Sequence, residues 1–120
     1  GNDKKRGYNK KESRTEYARR KGKEGEEKAG IKEEKKERIY IDAYKKSYRI
    51  PDRLSHRDKV LEEVKNVKKQ SYTKQLRDYN KWAKNNKYKF ILTIRENTIL
   101  SKPLKEAIER GDIVVKRLGR

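Results

Sequence analysis

Apolar positions are sparse in the first third of the chain and periodic in the rest. RIYIDAY (38–44) sets Ile39, Ile41 and Ala43 against Tyr40, Asp42 and Tyr44, an alternation that predicts a strand. SYRIPD (47–52) alternates again, and KVLEEVKNV (59–67) does so around β-branched residues. The charged RLSHRDK (53–59) reads as the connection between two antiparallel strands. After Ser71 the period changes: Tyr72, Gln75, Leu76, Tyr79, Trp82 and Ala83 share one face of an α-helix that Asn85-Asn86 ends. KFILTI (89–94) is a nearly continuous apolar run, as a buried central strand requires. Ser101 caps a helix with Pro103 in its first turn and Leu104, Ala107 and Ile108 on its face; Gly111 closes it. DIVVKRL (112–118) is a last strand. The expected fold class is α/β, a small mixed β-sheet flanked by helices.

Upstream the pattern thins. GEEKAGIKEEKKE has helix formers but only Ala29 and Ile31 as apolar anchors, which predicts a short helix over 24–30 with Gly30 as its C-cap. Residues 1–23 hold ten Lys and Arg against three acids, and Tyr8, Tyr17 and Ala18 are their only apolar members. Such a stretch cannot bury enough surface to offset its ordering entropy. It reads as a flexible basic lead to a domain spanning 24–120.

Charge narrows the partner. The 120 residues carry 37 Lys+Arg against 19 Asp+Glu, a net +18, and only 30% are hydrophobic. That suits one small domain with a lean core. Its field concentrates polyanions, so nucleic acid is the leading partner class. With no Cys, disulfide scaffolds and thiolate metal sites are excluded. With His56 alone, so are three-His zinc sites and paired-histidine catalysis; His56 reads as an exposed loop residue. No apolar run approaches the ~18 residues of a membrane span. The charged N-terminus shows no signal peptide, and a first Gly in a chain without Met reads as a piece of a longer polypeptide.

The candidate chemistry sits on the middle strands. Tyr48, Ile50 and Asp52 share one face of the first, and Leu61, Glu63 and Lys65 one face of the second. If the two pair, Asp52, Glu63 and Lys65 converge at one end of the sheet. Charged groups there must be solvated or matched, and such conflicts with packing mark functional positions. Two carboxylates, with a backbone carbonyl, suit Mg²⁺, and a neighbouring Lys suits orienting a water and stabilising a phosphoryl transition state. From Lys65 to Lys89 there are nine basic residues and one acid, Asp78. Lys68, Lys69, Lys74, Arg77, Lys81 and Lys84 are the expected nucleic-acid-binding residues of that flank. Trp82 is expected in the core.

Pro51-Asp52 followed after eleven residues by Glu63-Val64-Lys65 resembles the PD-(D/E)xK nuclease signature, and Gln75…Tyr79 is similar to the QxxxY element of RecB-type members. Residues 24–118, through GEEKAGI, SYRIPD, EVKNVK, QLRDYNKWA and KFILTI…SKPLKEAIERGDI, look like the restriction-endonuclease-fold toxin modules of polymorphic and contact-dependent inhibition effectors. The resemblance implies Mg²⁺, with Mn²⁺ as substitute, held by Asp52, Glu63, the Val64 carbonyl and a helix carboxylate. That last maps to Glu26, with Glu27 as the alternative. It implies Lys65 as the group orienting the attacking water, Gln75 as steadying Lys65 or that water, and Tyr79 as contacting phosphate or packing the site. It further implies secretion within a larger effector, action in a rival cell's cytoplasm, and an acidic immunity protein. DNA is favoured over tRNA as substrate. The competing readings are a non-catalytic nucleic-acid-binding module, a tRNA-cleaving toxin of the same fold, and a basic scaffold segment of a ribonucleoprotein. Nothing in the sequence fixes an oligomeric state.

Overall fold

A computed structural model of the chain describes residues 14–29 and 36–119. The element order is α1 (Arg14–Lys28), β1 (Ile39–Tyr40), β2 (Tyr48–Arg49), β3 (Arg53–Ser55), β4 (Val60–Lys65), β5 (Lys69–Gln70), α2 (Lys74–Asn86), β6 (Lys89–Arg95), β7 (Ile99–Leu100), α3 (Lys102–Glu109) and β8 (Val114–Leu118). The main sheet runs β3-β4-β6-β8. Its first pair is antiparallel and the other two are parallel, with Leu61 opposite Phe90 and Leu92 opposite Val115. This is the expected mixed sheet. Leu61, Leu76, Tyr79, Phe90, Leu92, Ile94 and Leu104 form its core, with Trp82 packed against them.

The helices end as their sequences dictate. The Thr73 hydroxyl accepts from the Leu76 N–H and the Ser101 hydroxyl from that of Leu104, satisfying N-terminal donors. Gly111, at φ 84°, lets its own N–H and that of Asp112 turn back to the Ile108 and Ala107 carbonyls. Lys87 does the same for α2 at φ 61°.

Three expectations are corrected. The segment 53–59 is not all connection: its first three residues are β3, which pairs Arg53 with Glu62 and Ser55 with Val60. The strand expected over 47–52 is reduced to β2, which pairs with β1 in a sheet of its own. The backbone pairing thus belongs to the residues after Asp52, because Pro51 cannot donate to a ladder. The short helix over 24–30 instead starts at Arg14, so the basic lead is helical from that residue onward. Residues 1–13 and Gly30, the expected cap, lie outside the described residues. β5 and β7, a two-residue parallel pair, were not expected.

α1 docks without an apolar stripe. A Cβ at Gly25 would stand 2.8 Å from the Asn66 Cβ and 3.3 Å from Val64 Cγ1. Only glycine lets the helix backbone approach β4 this closely. Asn66 donates to the Lys21 carbonyl at 3.2 Å and accepts from Arg95 at 2.6 Å, which ties α1 to the end of β6. α2 meets β4 through residues of the other parity, since Lys65 reaches Gln75. The two helices therefore touch opposite faces of the sheet.

Candidate active site

Asp52 directly precedes β3, and the β3–β4 register extended by one residue sets it opposite Glu63. There the ladder changes from backbone to side chains. The Asp52 N–H donates to Glu63 Oε1 at 3.2 Å, and the Val64 N–H donates to Asp52 Oδ2 at 2.7 Å. The N–H and C=O of a strand residue point to the same edge, so the Val64 carbonyl also faces the Asp52 side. Glu63 is buried, and its Oε2 lies 3.5 Å from Lys65 Nζ. Burial pushes the Glu63 carboxyl above the usual range, against the pull of Lys65 and the Asp52 N–H.

Lys65 is held from the other side by α2. Its ammonium donates to Gln75 Oε1 at 2.5 Å. Gln75 Nε2 donates to the Tyr79 hydroxyl at 3.4 Å, which donates to the Ile50 carbonyl at 3.3 Å. Gln75 and Tyr79, one helical turn apart, thereby link the Lys65 ammonium to the segment that leads into Asp52. Tyr79 is fully buried, edge-on to Phe90 at 5.8 Å. It packs the site rather than presenting its hydroxyl to solvent. Burial, then the charges of Glu63 and Asp52, raise its pKa, so it remains a neutral phenol.

The third carboxylate is Glu26, carried one residue past the Gly25 contact. It shares Lys36 with Asp52: Lys36 Nζ lies 2.5 Å from Glu26 Oε2 and 3.4 Å from Asp52 Oδ1. Burial and the nearby Asp52 carboxylate raise the Glu26 pKa, and Lys36 opposes them. The Lys36 ammonium, despite its partial burial, is held above the ordinary lysine value by the two acids. The side chain of Glu27, the alternative, lies outside the described residues. Among the described residues no group of three ligating side chains already stands at metal-ligand spacing. A lysine nitrogen bridges two of the acids instead.

A cleft of about 1000 Å³ opens over these groups, lined by Glu26, Lys36, Asp52, Glu63, Val64 and Lys65. Its basic wall differs from the expected one. Arg19, Lys21 and Lys23 of α1 line it with Lys68 and Arg95. Of the six expected nucleic-acid-binding residues only Lys68 does so. Lys74 pairs with Asp78 and Lys84 with Asp112, while Arg77 donates to the Tyr72 carbonyl. Lys69 and Lys81 are exposed elsewhere. The sequence signal for the wall was present as the charge of the lead, but its helix has no apolar period to show that it docks. Lys36 carried no signal, being one Lys among many and distant in the chain from both acids. His56 is exposed, as expected, between Glu37 and Tyr88.

A mixed sheet whose second strand carries Glu-x-Lys beside a Pro-Asp turn, with helices on both faces, has the architecture of the restriction-endonuclease fold. The model of one family of that fold, Tox-REase-7 (restriction endonuclease fold toxin 7), matches residues 22–104, and the chain belongs to it. It is thus a toxin domain of nuclease type, with nucleic acid as its substrate class. No curated protein and no solved structure matches the chain. No described helix is long and apolar enough to cross a membrane.

Proposed function

We propose that this domain is a metal-dependent endonuclease that hydrolyses phosphodiester bonds, with DNA favoured over tRNA. The observation that carries this reading is the convergence of Asp52, Glu63 and Lys65 at the end of one strand pair. The donor set fits a hard divalent cation: it is all oxygen, from Asp52, Glu63, Glu26 and the Val64 carbonyl. The ammonium between Glu26 and Asp52 supports the fit, since a positive charge already balances those acids. Mg²⁺, or Mn²⁺ in its place, would lower the pKa of a water and screen charge building on the phosphoryl oxygens.

The chain's own residues do the rest. Lys65 orients the attacking water and donates to the phosphate as negative charge develops, and Gln75 fixes the ammonium for both tasks. Tyr79 holds Gln75 and keeps solvent from the back of the site. Arg19, Lys23, Lys68 and Arg95 neutralise flanking phosphates along the cleft. The family's toxin character supports delivery as part of a larger secreted effector and action in the target-cell cytoplasm. It equally supports an acidic immunity partner, because a protein must outcompete nucleic acid for a surface of net +18.

The test is digestion of plasmid DNA and of total tRNA with Mg²⁺, with EDTA, and by Lys65→Ala. Cleavage is expected with Mg²⁺ alone and should fall about 10²–10³-fold in the variant. Cutting that persists in chelator would end the metal mechanism, and salt-sensitive binding without turnover would favour the non-catalytic module.

A further inference from the structure

Six large apolar side chains are exposed among the described residues, and four of them, Tyr40, Tyr44, Tyr48 and Ile50, fall in the β1–β2 hairpin and its exit. Scattered exposed apolar residues are ordinary, but a cluster marks an interaction site. Here it is conspicuous, because the chain is only 30% hydrophobic. Apolar surface left in water forgoes about 25 cal/mol per Å².

We propose that the outer face of this hairpin is a stacking platform for unpaired nucleotides of the substrate, a proposal that rests on the nuclease reading and adds a substrate class to it. Tyr40 and Tyr48 are register partners whose rings meet edge to face at 6.1 Å. Their orientation is forced, since the alternate residue Ile39 is buried in the core. The Arg38 guanidinium lies over the Tyr48 ring, 4.3 Å from its centre, so on that side the platform presents a cation and not the bare ring.

The turn beyond is built to hold this shape. The Asp42 carboxylate accepts from the N–H groups of Tyr44, Lys46 and Ser47. Those backbone bonds consume the one acid of the turn and lower its pKa, leaving Lys45 and Lys46 exposed in the same turn. From Tyr48 the chain passes through exposed Ile50 to buried Pro51 and then to Asp52. Three residues separate Tyr48 from Asp52, whose Cα atoms are at most about 14 Å apart along an extended chain. A nucleotide stacked on Tyr48 therefore sits within a few nucleotides of the cleft.

Rings flanked by cations match the two halves of a nucleotide, its base face and its phosphate. A duplex hides base faces within its own stack and offers only edges, so the platform selects unpaired segments.

The test reads binding by the full chain in EDTA, where turnover plays no part. Fluorescence anisotropy compares a labelled single-stranded DNA oligonucleotide with its duplex against wild type, Tyr40→Ala, Tyr48→Ala and Tyr48→Phe. Each alanine variant is expected to weaken single-strand binding about 5-fold or more and to leave duplex binding unchanged, whereas Tyr48→Phe keeps both. Tyr48→Leu has apolar bulk without a π face and carries the same expectation if the alanine variant fails to fold. Equal loss on both oligonucleotides, or no loss on either, overturns the platform. Cleavage with Mg²⁺ is scored separately. Wild type that cuts but shows no ring dependence keeps the nuclease and loses the platform; ring-dependent binding without cutting does the reverse.

Discussion

Lys36 is the residue that most directly probes the acidic cluster. Its ammonium bridges Glu26 and Asp52, so replacing it with Met leaves the repulsion between these two carboxylates unbalanced. In EDTA, Lys36→Met should melt below wild type, by a few degrees for about 1 kcal/mol in a domain this small. Millimolar Mg²⁺ should then raise its Tm more than that of wild type, because an ion that binds only the folded state stabilises it by mass action. Equal shifts in the two proteins would remove Lys36 from the cation site. Asp112 supplies a pH test away from the site. Hydrogen bonds from Lys84 and then Arg110 hold its carboxyl below the usual range, against partial desolvation. A depressed carboxyl pKa contributes stability that is present above the unfolded value and is lost as pH falls through the folded one. Asp112→Asn should therefore be less stable at neutral pH, by under about 1 kcal/mol because both partners are largely solvated. The gap should close in acid titrations of Tm below about pH 3.9.

α1 is the element on which sequence and structure diverge most. Its two internal glycines occupy different surroundings: a Cβ at Gly22 meets nothing within 4 Å, whereas one at Gly25 collides with Asn66. Gly22→Ala should raise stability by about 0.5–1 kcal/mol through helix propensity alone. Gly25→Ala gains the same propensity but must push α1 off β4, a strain of about 1–3 kcal/mol that also displaces Glu26. Melting curves and cleavage rates of the two variants separate these effects: Gly22→Ala should cut normally, and Gly25→Ala should lose both stability and rate. The same glycine explains what the sequence left unread. β4, α2, β6 and α3 show their periods because each buries an apolar face. The meeting of Asp52 with Glu63 was expected from a strand over 47–52, which pairs with β1 instead, and it arises from the register of β3. α1 docks by backbone approach and a single Asn66 amide, and β3 is three residues long with Leu54 alone packed against the core, so neither leaves a periodic hydrophobic signature.

At the scale of the molecule, charge is spread widely while the cleft draws on a small part of it. Arg19, from α1, and Lys68, from the segment after β4, both line the cleft and are both exposed. Replacing each with Ala should lower the slope of log affinity against log salt by about 1, evenly across nucleic-acid sequences. Lys81→Ala, outside the cleft, should leave that slope as it is. A uniform effect of all three would mean that the whole surface, and not the cleft, grips the substrate.

β4 also carries a safeguard against misalignment. Glu62 and Glu63 are adjacent acids with opposite orientations: Glu62 is matched by Arg53 at 3.0 Å and Thr93 at 2.5 Å, and Glu63 turns to the cleft. A slip of one position would exchange their sides, stranding one acid among apolar neighbours and removing the other from its partners. The strand is keyed like a lock tumbler, so any molecule of this toxin that reaches its native fold is, by that fact alone, correctly armed.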